Sequence, residues 1–160
     1  MRKGSVLLLT GAAAAGALLA GSRWSPAPAG SPTALWYARL EKPSFTPPGA
    51  VFGVVWPVLD ALLWFTGYRL ARARPGPARL VALGAWTANL AGMVGYPYVF
   101  FGRKRPDEGL AVTGAMLGAS AGLVASAAEV DRPAAWATVP LVGWLLFATV
   151  LQEEVWRRNK

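Results

Sequence analysis

Five long runs with little or no charge alternate with short segments rich in arginine, proline and glycine. They are Ser5–Ser22, Gly49–Tyr68, Leu80–Phe101, Gly109–Ala128 and Pro133–Gln152. Each holds roughly 18–22 residues, and about 20 residues of helix cross the hydrocarbon core of a bilayer. The only formal charge inside any of them is Asp60. Backbone N–H and C=O groups must pair within the segment when lipid surrounds it, so helices are expected. The pattern predicts an all-α membrane protein, a five-transmembrane-helix bundle with helices near 5–22, 48–70, 80–101, 108–128 and 134–156. Residues 1–160 then make a single domain, and the segment 23–47 lies as a loop over one end.

The punctuation between the runs refines this picture. The chain starts with Arg2 and Lys3, and Ala27-Pro28-Ala29 resembles a signal-peptide cleavage site. The apolar run is long for a signal peptide and that site lies well beyond its end, so a retained first helix is expected. Trp24–Ala34 is too rich in proline for a helix. Trp36-Tyr37 follows as an interfacial anchor or lid. Pro47 and Pro48 keep the preceding residues extended and suit a helix start. On that second helix Trp56, Asp60, Leu63, Trp64 and Gly67 fall on one face, and Pro57 frees a carbonyl and bends the axis. On the third, Trp86, Asn89 and Met93 share a face, with Tyr96 and Pro97 one turn on. Asp107 and Glu108 suit the start of the fourth helix, whose Gly114, Gly118 and Gly122 form a ridge for close packing, within the chain or against a second subunit.

Composition agrees with the pattern. Of 160 residues 54% are hydrophobic and 15% charged, and the mean hydropathy is +0.37. The net charge of +8 does not point to nucleic acid, because the arginines gather at helix ends, where they anchor among lipid headgroups. There is no cysteine and no histidine. That removes disulfides, thiolate and imidazole metal sites and histidine-based acid–base catalysis. No nucleophile–base pair, phosphate loop or metal cluster stands in the sequence, and no cofactor is required.

The candidate site is an aromatic cavity. Trp56 and Trp144 lie at similar depth in the second and fifth runs, and Asn89 supplies a polar handle from the third. Indoles offer flat stacking surfaces and one N–H donor each, which suits a flat apolar ligand. Interfacial belts account for Trp24, Trp36 and Trp156, and by extension Trp86 and Trp136. A carboxyl inside a span costs about 2.5–3.5 kcal/mol, so Asp60 must face a cavity or a partner, or be protonated: a ligand contact or proton site, or a neutral acid bonded to a neighbour such as Asn89.

These residues resemble the TspO/translocator protein family, also called tryptophan-rich sensory proteins or peripheral benzodiazepine receptors. The resemblance is carried by WYARLEKPSFTPP from Trp36 to Pro48, by Val55-Trp56, Leu59, Gly67-Tyr68, Leu90-Ala91, Pro97 and Phe100-Phe101-Gly102, and by Trp144, Phe147-Ala148-Thr149, Leu151, Val155-Trp156-Arg157 and Asn159. It implies a five-helix bundle, usually a homodimer, with a cavity for porphyrins, sterol-like lipids and benzodiazepine-type ligands. Trp56 and Trp144 match tryptophans placed beside bound porphyrin. Phe52, Gly53, Val55, Ala148 and Leu151 match lining positions, and Trp36 and Tyr37 match the capping loop. Phe45, Met93 and Tyr96 complete the expected ligand-binding set. Met93-Val94 departs from the family's Asn-Trp, Glu108 from a tryptophan, and Asp60 from a tyrosine. Glu153-Glu154 replaces tyrosines of the sterol-recognition segment, which speaks against sterol binding there. The expectation is a bilayer protein that binds a tetrapyrrole or similar flat ligand as sensor, regulator or carrier, with no nucleic-acid partner. The alternatives are light-dependent porphyrin breakdown, with Trp56 and Trp144 as redox-active residues, and a lipid-filled pocket of purely structural or small-solute use.

Overall fold

The computed structural model describes residues 3–26 and 28–160. Arg2 and Ala27, on which the signal-peptide reading draws, lie outside the described residues. Six α-helices follow in order: α1 (Lys3–Ser22), α2 (Pro32–Arg39), α3 (Gly49–Arg72), α4 (Pro77–Pro97), α5 (Pro106–Val130) and α6 (Arg132–Arg158). A π-helical turn, Tyr98–Gly102, extends α4. No strand occurs among the described residues.

Among the described residues four helices are long and apolar enough to cross a membrane: α1, α3, α5 and α6. The expected third span is divided instead. Arg79, Trp86, Thr87, Asn89 and Tyr96 dilute the apolar character of α4, and Val99, Phe100 and Phe101 pass into the π turn.

Prolines set most of the helix starts, several of them outside the expected bounds. A missing N–H costs nothing in a helix's first turn, so Pro32, Pro77, Pro106 and Pro133 sit at the first or second positions of α2, α4, α5 and α6. This is why part of the proline-rich segment is helical rather than loop. Ser31 caps α2, accepting from the Ala34 N–H at 3.1 Å. Trp36 and Tyr37 therefore ride on a two-turn helix. At α3 the sequence reading holds: Pro48 is the N-cap, and the helix continues through Pro57.

The five long helices close into a ring. α1 packs on α3 and α4, α4 on α5, α5 on α6, and α6 returns to α3, with α3 and α4 touching across the middle. Small residues permit the closest approaches. Gly21 of α1 lies against the Met93 carbonyl of α4, and Gly92 of α4 against Met116 of α5. Gly67 lies under the indole of Trp86, whose Nε1 donates to the Leu63 carbonyl at 2.8 Å. Trp86 is thus a buried core residue of the α3–α4 contact and no part of an interfacial belt.

α3 and α6 run antiparallel. Thr66 Oγ1 and Thr138 Oγ1 are 3.2 Å apart, and Arg69 grips Asp131 by two hydrogen bonds of 2.8 and 2.9 Å. Asp131 also caps α6 through the Ala134 N–H at 2.9 Å. The Arg69 hydrogen bond holds the Asp131 carboxyl below its ordinary range. At the end of α3, Arg79 donates to the Leu70 and Ala71 carbonyls, satisfying acceptors the helix leaves open.

Candidate functional site

The expected site residues fall into two adjoining layers. The deeper layer belongs to the main core, where Val55, Trp56 and Trp144 are half-buried and Met93 is buried. Asp60 sits one turn from Trp56 on α3, with 8% exposure. Its Oδ1 and the Trp144 Nε1 are buried, and neither has a hydrogen-bond partner.

The second layer is aromatic and lies under α2. Phe100 is its centre, stacked on Tyr96 with ring centroids 5.4 Å apart and meeting the edges of Trp36 at 5.4 Å and Tyr37 at 6.3 Å. Such pairs gain from opposed quadrupoles as well as buried area. Phe52, Phe147 and Leu151 belong to the same cluster. Phe52 joins the layers, its ring 5.6 Å from that of Trp144, and Phe147 covers Trp144 from another side at 5.4 Å. Phe45, 46% exposed, lies at the rim against Phe147. Ala148 is half-buried on the same helix.

Several expected roles are corrected. Asn89 does not hold Asp60. It accepts from Ser120 Oγ at 2.7 Å and donates to the Ala85 carbonyl at 2.9 Å, so its amide is engaged in the α4–α5 contact. Helical periodicity on α4 alone carries no information about which neighbouring helix supplies a hydroxyl. Trp64, expected on the buried face with Asp60, lies at the edge of that face toward α1. It is 37% exposed and its Nε1 reaches the Leu7 carbonyl of α1 at 3.4 Å, while Thr66 takes the buried position. Gly53 is exposed, with open space where a Cβ would stand.

Three contributors were not assigned to the site from the sequence. Phe147 and Phe100 build the aromatic layer, though their residues stood within recognised motifs. Gln152, taken as the end of an apolar run, is buried and accepts from the Tyr96 hydroxyl at 2.9 Å while donating to the Pro106 carbonyl at 2.9 Å. Below α2, Lys42 donates to the Tyr37 and Leu40 carbonyls at 2.6 and 2.9 Å and lies over the Tyr37 ring. Burial draws its ammonium below the ordinary lysine value. The 40–48 segment is thereby tied to α2.

Two hollows lie elsewhere, on the flanks of the bundle. One, of about 390 Å³, is a shallow groove between α4 and α5 bordered by Ala88, Ala91, Gly92, Gly95, Ala115 and Ala119. The other, about 340 Å³, lies beside Trp136, which is 73% exposed. Trp56 and Trp144 border neither, because phenylalanine rings cover Trp144. Among the described residues no cluster could hold a metal ion.

Four membrane-capable helices around an aromatic interior define an integral, multi-pass helical membrane protein. A model of the TspO/MBR family matches residues 6–157, and the chain belongs to that family. It is 34% identical over 126 residues to the translocator protein of Homo sapiens, covering 78% of this chain and 75% of that one. It is also 34% identical over 124 residues to the tryptophan-rich sensory protein of Cereibacter sphaeroides, covering 78% and 77%. With the tryptophan-rich protein TspO of Bacillus cereus it shares 30% identity over 129 residues, covering 78% and 80%.

Proposed function

We propose that this protein binds a porphyrin or a similar flat apolar ligand inside the bilayer, between Trp56 and Trp144, and acts as a sensor, regulator or carrier. The observation that carries the reading is the buried, unpaired Nε1 of Trp144, whose ring is flanked by those of Phe52 and Phe147. An indole donor left without a partner in a dry interior costs stability unless something else pairs with it. Flat ligand surfaces can replace the phenylalanine edges at similar contact energy. The relatives named for translocation and for sensing are consistent with a ligand-responsive role.

In this reading the chain is one domain. α4 and its π turn together make the fifth span, α2 and the 40–48 segment form the lid, and Phe52 turns aside to admit the ligand. The exposed Gly114, Gly118 and Gly122 of α5 have nothing packed against them within the chain, which suits a homodimer contact. The sterol-like class is disfavoured by Glu153 and Glu154.

The test is titration of the purified protein in detergent with protoporphyrin, followed by illumination and recovery of the pigment. Saturable quenching of tryptophan emission with intact pigment recovered supports a binder. Linear, unsaturable quenching contradicts the site, and stoichiometric loss of pigment under light assigns an enzyme instead.

A further inference from the structure

Buried polar groups in this bundle are paired almost throughout. Asn89 has Ser120, Thr66 has Thr138, and Gln152 has Tyr96 and the Pro106 carbonyl. Against that background two buried side-chain atoms among the described residues stand without a partner, Asp60 Oδ1 and Trp144 Nε1. Such exceptions call for an explanation, because a buried polar atom is normally satisfied by protein, water or ligand.

The two atoms belong to neighbouring helices. α3 and α6 pack antiparallel, with the Thr66–Thr138 contact setting their register. Asp60 and Trp144 lie the same number of residues beyond that contact, each roughly 9 Å further along its axis at 1.5 Å per residue. They therefore stand at comparable depth, Asp60 one turn from Trp56 on α3 and Trp144 beside the rings of Phe52 and Phe147. Their chemistry is complementary: an ionised carboxyl accepts hydrogen bonds, and an indole N–H donates.

Resting on the binding site proposed above, we propose that Asp60 and Trp144 form the polar end of that site and select flat apolar molecules bearing an ammonium or N–H group. The donor of the ligand meets Asp60, and an adjacent acceptor atom, where the ligand has one, meets the Trp144 N–H. A ligand carboxylate is turned away from this end, since it would face the like charge of Asp60 in a medium that screens it poorly. The selectivity comes from a residue of this chain that the aromatic scaffold does not itself require.

The test uses two probes of nearly equal shape, pyrenemethylamine and methylpyrene, with energy transfer from tryptophan as readout. Wild-type protein in detergent is expected to bind the amine about tenfold or more tightly than the hydrocarbon, as a charge-assisted hydrogen bond allows. Asp60→Leu and Asp60→Asn are both expected to bring that ratio down to the one that micelle partitioning alone produces. Two variants are used because one may fold poorly, and each is checked by its elution as a single species. Equal affinity for both probes in a wild-type protein that still binds protoporphyrin saturably overturns this inference and leaves the binding site standing. A preference that survives in both variants overturns it as well, placing amine recognition elsewhere. Failure of protoporphyrin and both probes to bind overturns the site itself and this inference with it.

Discussion

Asn159 and Glu41, 118 residues apart in the sequence, hold each other by two reciprocal hydrogen bonds. The Glu41 N–H donates to Asn159 Oδ1 at 3.0 Å, and Asn159 Nδ2 donates to the Glu41 carbonyl at 2.9 Å. A third bond, to the Val155 carbonyl at 2.7 Å, seats the amide on the last turn of α6. The segment leading from α2 to α3 is thus latched to the end of the helix that carries Trp144. Asn159→Ala removes both cross-links without touching the aromatic layers. At about 0.5–1 kcal/mol net for each of the two bonds, ligand dissociation should accelerate between roughly five- and thirtyfold. Stopped-flow release of protoporphyrin measures this, and an unchanged rate would mean that the 40–48 segment does not gate the site.

Asp60 should weaken the fold while serving the ligand. Its unpaired buried oxygen carries a penalty that an isosteric leucine avoids, so Asp60→Leu is expected to raise stability by about 1–3 kcal/mol. Thermal unfolding in detergent reads this as a higher midpoint. A lower midpoint would show that Asp60 is held by the protein and is a structural residue.

The Arg69–Asp131 pair predicts an acid dependence. The carboxyl of Asp131 lies below its ordinary value of 3.8, chiefly through the Arg69 hydrogen bond. A depressed folded-state value gives stability that is complete above the unfolded value and disappears as pH falls through the folded one. Asp131→Asn should therefore be less stable than wild type at neutral pH, and the gap should close below about pH 3.8, the unfolded value. A gap that stays constant down to strongly acidic pH would exclude the ion pair as its source and leave the α6 cap.

Glycines of similar sequence context should respond in opposite ways. A Cβ at Gly67 would overlap the Trp86 indole and disturb its bond to the Leu63 carbonyl. Gly67→Ala is expected to destabilise by about 1–3 kcal/mol, as overpacking does. Gly118 has nothing nearby in the chain. Gly118→Leu should leave the helical fold intact while shifting the protein from dimer to monomer on size exclusion, if the α5 ridge is the subunit contact. Unfolding of the Gly118 variant would place that ridge inside the bundle instead.

Much of this architecture could be read from the sequence, for identifiable reasons. Uncharged runs declare helices because lipid leaves the backbone no other partner. Pro48 was legible as a helix start. The helix at Pro32 was missed because a proline cluster reads as a breaker, although Ser31-Pro32 is also a cap followed by a first-turn proline. Trp64 is exposed and Thr66 buried, the reverse of expectation, because a helical wheel is blind to which neighbour a helix leans on. Asn89 and Gln152 show the same limit for polar residues. Their partners, Ser120 and Tyr96, come from other helices, and pairing across an interface leaves no period in either sequence.

The central claim is best tested by the dissociation constant of protoporphyrin followed through the pigment's own absorbance, so that losing a tryptophan does not remove the signal. Wild type, Trp136→Phe and a Trp56→Phe, Trp144→Phe double variant are compared in the same detergent. The account predicts wild-type affinity for Trp136→Phe, whose ring lies 73% exposed on the flank. For the double variant it predicts a loss of about tenfold or more, from shrunken stacking surface and the missing indole donor. Equal affinity in all three proteins would contradict a ligand site between Trp56 and Trp144.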